Sequence, residues 1–149
     1  PGETIRSPVG EKAEVVVKGK VVYHEKVDRV ELVGTGFVQL LEVSWKQLES
    51  GAWEGSFEYQ HELTRSSFVA VRTFQISDSG RVRFAHTAPW HVQIGDERIR
   101  PFKWEVDFFI GQMEKQIARN REVLDTAALN EFKEALRIYR EIQERAIEQ

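Results

Sequence analysis

The sequence contains no cysteine. Disulfides, thiolate metal sites and cysteine nucleophiles are thereby excluded, and the chain could traverse an oxidising compartment without mispairing. No apolar run approaches the roughly 18 to 20 residues of a membrane span, and the opening PGETIRSPVG lacks the charged-then-apolar order of a secretion signal. Charge of one sign is missing too. With 21 basic and 24 acidic residues the formal net charge is −3, so no bulk field draws the chain to nucleic acid or to an anionic membrane, and neither partner is expected. Compartment is left open by composition. The first residue is Pro1 rather than methionine, which reads as the start of an excised or processed piece of a longer protein.

What is present suffices for one core. The chain has 149 residues, 41% of them hydrophobic, with 9 Phe and 4 Trp, enough apolar side-chain area to offset the entropy of ordering a single domain.

From Ala13 to Tyr23 one parity reads Ala, Val, Val, Gly, Val, Tyr, the period of a half-buried strand, with Gly19 expected to mark a bulge or break. Val27–Val33 and Phe37–Val43 flank Gly34, Thr35 and Gly36, which predicts a hairpin. Lys46–Gly51 reads as a polar connection. Trp53, Gly55, Phe57, Tyr59, His61 and Leu63 then alternate with polar residues, placing one face on a core and the other in water. Phe68–Ile76 is apolar on both parities, the pattern of a central strand covered on two sides. Ser77–Gly80 makes a turn, and alternation around Val82 and Phe84, then around Trp90, Val92 and Ile94, gives the last strands.

The period changes after Pro101. Val106, Phe109, Ile110, Met113 and Ile117 fall at helical spacing, as do Leu129, Phe132, Leu136, Tyr139 and Ile142. Asp125 and Thr126 are placed to cap the second helix, and Glu141 with Arg145 forms a one-turn pair on its wet face. The expected class is mainly β: an immunoglobulin-like β-sandwich over residues 1–100, closed by a two-helix hairpin over 101–149 that packs on it as one structural unit.

Few residues carry chemistry. His24, His61, His86 and His91 show no HxH or HExxH spacing, and strand parity puts His86 and His91 on opposite faces, so no metal site is expected in this chain. His61 reads as a histidine at the edge of the core. Arg72 shares a parity with Phe68, Ala70 and Phe74, where a guanidinium must find an ion-pair partner or an interface. Trp45, Trp53, Trp90 and Trp104 read as core residues, or, if exposed, as stacking platforms of a carbohydrate- or ligand-binding module. The local basic stretch Arg81, Arg83, Arg98, Arg100 and Lys103 is interspersed with acids and reads as a solvated face. There is no nucleophile elbow and no Gly-rich phosphate loop. An enzyme built on His86 with Arg72 would need the two to converge in a pocket beside a carboxylate.

SSFVAVRTF (Ser66–Phe74), RFAHTAPWHVQIGDERIRP (Arg83–Pro101) and the following DFFIGQMEKQI together resemble the C-terminal region of CehA/McbA-type metallohydrolases of the PHP superfamily. That family pattern has a Ser-Trp-Ile-Ala-x-Arg strand, an Ala-His-Thr-Ser-Pro-x-Tyr-Val turn and strand, and two closing helices. Phe68–Arg72 takes the first motif and Ala85–Val92 the second, with Phe68 in place of Trp and Ala88 in place of Ser; DRVELV near Asp28 fits an earlier family strand. The resemblance implies a non-catalytic accessory domain that packs on, or completes the cleft of, an N-terminal catalytic domain of the same polypeptide. The divalent metal would belong to that domain, and no cofactor to this chain. Arg72, His86 and Trp90 are then the candidate interdomain or ligand-facing residues, and the helices offer a route to a homo-oligomer.

Overall fold

The computed structural model describes residues 2–148, and its internal contacts divide the chain between Ile99 and Arg100 into two compact units. The first is built of β-strands: β1 (Thr4–Ser7), β2 (Ala13–Tyr23), β3 (Arg29–Gly34), β4 (Phe37–Leu40), β5 (Ser44–Gln47), β6 (Trp53–Leu63), β7 (Ser67–Ile76), β8 (Val82–His86) and β9 (Trp90–Ile94). The second is two helices, α1 (Lys103–Asn120) and α2 (Thr126–Gln143). The protein is mainly β with two C-terminal helices.

The strands form two sheets. One runs β1-β9-β7-β3-β4, with β8 also on β7; the other is β2-β6-β5. β8 and β9 share one edge of β7: β8 pairs its C-terminal half, from Arg72↔His86 to Ile76↔Val82, and β9 its N-terminal half, from Ser67↔Val92 to Val69↔Trp90. β1 lies parallel to β9, and the other pairings between these strands are antiparallel.

Alternation explains how the sheets pack. Ala13, Val15 and Val17 of β2 and Leu63 of β6 meet Val30 and Leu32 of β3, Val69 and Val71 of β7, and Val92 and Ile94 of β9 in one apolar cluster. Each contributes one parity of its strand, so burial of that parity fixes the register, because a slip by one residue would turn every apolar side chain outward. Two buried serines staple the larger sheet. Ser66 Oγ accepts from Ile94 N at 2.9 Å and donates to Glu97 O at 2.7 Å, and Ser67 Oγ accepts from Thr35 N at 3.0 Å.

Several expectations need correction. No bulge interrupts β2 at Gly19, which pairs with Phe57 in unbroken register; the glycine lets the Phe57 ring lie over the strand, where an added Cβ would stand 2.5 Å from it unless the ring shifted. Part of the polar connection is a strand, β5, paired along β6 from Ser44↔Ser56 to Gln47↔Trp53. Thr4–Ser7, where no strand was expected, pairs as β1. β7 is central between β3 and β8/β9 but is not covered on both faces: Ser67, Val69 and Val71 are buried, whereas Phe68, Arg72 and Phe74 are half-buried.

In the helical unit Asp125 caps α2 by accepting from Ala128 N at 2.8 Å, and Glu105 accepts from Phe102 N at 2.8 Å at the start of α1. Phe109 stacks on Tyr139, and Lys103 N donates to Ile147 O, tying the ends of the pair together. The Glu141 carboxylate pairs with Arg137 rather than Arg145, since Arg137 lies within the helix between Glu134 and Glu141 while Arg145 stands beyond its last turn. No described helix is long and apolar enough to cross a membrane.

Candidate functional site

The face of the larger sheet that points away from the apolar cluster carries the residues of interest. Direct cross-strand partners share a face, so the register sets Glu31, Arg72 and His86 in one row across β3, β7 and β8, with Arg29, Phe74 and Phe84 in the next. Phe68 and His91 form a further pair on this face. A groove of about 490 Å³ runs over it, lined by Val33, Phe68, Ala70, Arg72, Phe84 and His86 among others.

Arg72 is a paired charge. Its Nε donates to Glu31 Oε2 at 2.6 Å, and Glu31, only 6% exposed, is also reached by Arg29 Nε at 3.3 Å. Both guanidinium groups lie near the Phe74 ring, Arg29 at 4.2 Å and Arg72 at 5.3 Å from its centroid. Two cations and their donors stand in for the water that burial removes from this carboxylate. Sequence reasoning found Arg72 and its need for a partner but missed Glu31. The available signal was symmetrical: Glu31 interrupts the apolar run Val30 to Val33 as Arg72 interrupts its own.

His86 is exposed at the sheet edge, and its Nδ1 stands 3.0 Å from Thr87 O. A carbonyl only accepts, so Nδ1 is the donor in this contact. The Thr87 hydroxyl accepts from Val71 N at 3.2 Å, which occupies the nearest nucleophile-type oxygen with a backbone bond. The row thus offers a neutralised Glu–Arg pair and one exposed imidazole beside stacked Phe74 and Phe84, whose centroids are 6.3 Å apart.

The structure brings Arg72 and His86 together and puts Trp90 elsewhere. Trp90 pairs with Val69, a core residue, and lies on the inner face with Val15, Val17 and Val92. His86 and His91 share the outer face, contrary to the parity argument, because the turn through Thr87 and Pro89 adds a step that restores their phase. His61 stacks on Phe37 with centroids 4.2 Å apart, in keeping with a place at the core edge. Among the described residues no group of three or more histidines and carboxylates is arranged to hold a metal. Of the four tryptophans Trp104 is exposed and the others are half-buried, so no pair of open indole rings forms a sugar platform. No family model and no curated protein matches the chain.

Proposed function

We propose that this chain is a non-catalytic accessory domain of a PHP-type, metal-dependent hydrolase-like polypeptide, and that the outer face around Arg72, His86 and Phe84 docks on its catalytic domain. The observation that carries this reading is the exposure of that face. Phe84 is 67% exposed, and Val38, Leu40, Ile76 and Val82 on the same face are likewise open. Exposed apolar side chains gathered on one face, here on either side of the Glu31–Arg72–His86 row, favour an interaction surface over a purely solvated one. The two stretches that resemble the metallohydrolases, Phe68–Arg72 and Ala85–Val92, pair with each other and supply much of this surface.

An immunoglobulin-like sandwich is the finer fold reading. It is supported by the three-stranded order β2-β6-β5 facing β9-β7-β3, with the first strand parallel to the last. The helices support self-association as a further part of the reading, since no residue of α2 is fully buried.

The test is thermodynamic linkage. A domain docked in its parent melts higher than the same domain alone, because contact with a partner stabilises only the folded state. This domain should gain about 4 °C or more, corresponding to roughly 1 kcal/mol, in the polypeptide that includes its upstream sequence. Phe84→Glu should leave the separate domain within about 0.5 kcal/mol of its original stability and abolish the gain. Equal midpoints with and without the upstream polypeptide would contradict the docking reading.

A further inference from the structure

A second feature lies between the sheets, with Phe74 and Phe84 of the docking face also among its lining residues. The apolar cluster fills the middle of the first unit, but towards the end of β2 the inner positions change character. Val21 and Tyr23 on β2, with Val27, oppose Thr73 and Gln75 on β7 and Ala85 on β8, and a cleft of about 270 Å³ opens between them. Tyr23 and Arg83 bridge the two sides, with Arg83 Nη1 donating to Tyr23 Oη at 2.8 Å.

Two buried side-chain polar atoms, on residues that line this cleft, have no partner. Gln75 is only 5% exposed, and its Nε2 donates to Glu25 while its Oε1 bonds to nothing; Thr73 Oγ1 is likewise buried and unpaired. The amide orientation is chemically fixed, because a carboxylate only accepts and must face the NH₂ group. The acceptor oxygen is therefore the atom without a partner. Buried polar groups without partners are rare in folded proteins and call for an explanation. Water alone is a poor one. The space far exceeds the ~30 Å³ share of a single water, and its walls are mostly valine, alanine and ring carbons.

We infer that the cleft is a binding site for a small neutral molecule with a ring-sized apolar body and one hydroxyl. The body would lie between Val21, Val27 and Ala85. Its hydroxyl would donate to Gln75 Oε1 and accept from the Thr73 hydroxyl, satisfying both orphans with one group. Anions are disfavoured, since the unmet Gln75 atom is an acceptor and Glu25 stands behind it. A site built to bond a hydroxyl rejects the analogue that lacks it by a large factor, because its own polar groups are then left unpaired.

Phenol and toluene probe this directly, followed by methyl chemical shifts of the whole chain. Phenol should move the Val21, Val27 and Ala85 methyls saturably, with toluene at least tenfold weaker. Gln75→Met should weaken phenol at least tenfold and erase its advantage over toluene. Ala85→Leu, which fills the cleft from the exposed edge strand, should abolish the shifts in a chain whose spectrum stays folded, and so decides the matter even if Gln75→Met does not fold. Absence of phenol shifts at these methyls, equal affinity for toluene, or undiminished phenol binding in Ala85→Leu would overturn the assignment.

Discussion

Arg72 and Glu31 show how a single pair of residues can be half-legible. A guanidinium on the parity of Phe68, Ala70 and Phe74 had to be paired or placed at an interface, and that much follows from the cost of stranding a charge among apolar groups. Its partner lies 41 residues away on a neighbouring strand, and only the sheet order reveals it. Arg72→Met would leave a carboxylate that is 6% exposed with Arg29 alone at 3.3 Å. The expected loss is about 1–3 kcal/mol, below the usual cost of breaking a fully buried pair because the Arg72 side chain is 37% exposed. Denaturant midpoints of Arg72→Met and of the double variant Glu31→Leu/Arg72→Met check this. The double variant should recover most of the loss, and a single variant as stable as the original chain would show that the pair contributes little. Gly34 is fixed by a different constraint, since a Cβ there would stand 2.5 Å from the Phe68 carbonyl oxygen, a contact the sequence could not disclose.

At the level of elements, long alternating strands declare themselves and short ones do not. β2 and β6 were readable over their length, apart from the break expected at Gly19, because eleven residues of period two in each leave little room for another conformation. β1 and β5 have four residues each, and β5 includes Lys46 and Gln47, so neither shows enough alternation to stand out. β5 is instead anchored by pairing and charge. Lys46 Nζ at 2.8 Å and Lys20 Nζ at 3.3 Å both reach Glu54 Oε1 on β6, and the Lys46 hydrogen bond, ahead of Lys20, holds the Glu54 carboxyl below the usual glutamate range. A folded-state pKa below the unfolded value gives stability that is present above the unfolded pKa and fades as pH falls through the folded one. Glu54 should accordingly titrate below the usual glutamate range when followed by carboxyl NMR. Lys46→Ala should move it upward more than Lys20→Ala does, and the opposite order would contradict the assignment of the dominant partner.

For the whole molecule, the composition and periodicities were enough to predict a mainly β chain ending in two helices. They did not predict that β8 and β9 would share one edge of β7, or that β1 would join that sheet in parallel, since such pairings join distant parts of the chain and leave no local pattern. The same long-range order decides the candidate site: it unites Arg72 and His86 on an open face and sends Trp90 inward. The absence of cysteine makes that face accessible to a clean measurement, because Phe84→Cys and Val16→Cys each introduce the only thiol in the chain. Val16 is exposed on the other sheet and serves as the reference. Docking predicts that the thiol at position 84 reacts with a maleimide as fast as the one at position 16 in the separate domain, and at least tenfold more slowly when the upstream polypeptide is attached, while position 16 is unchanged. Equal reactivity at position 84 in both settings would contradict the proposal that this face is covered by a catalytic partner.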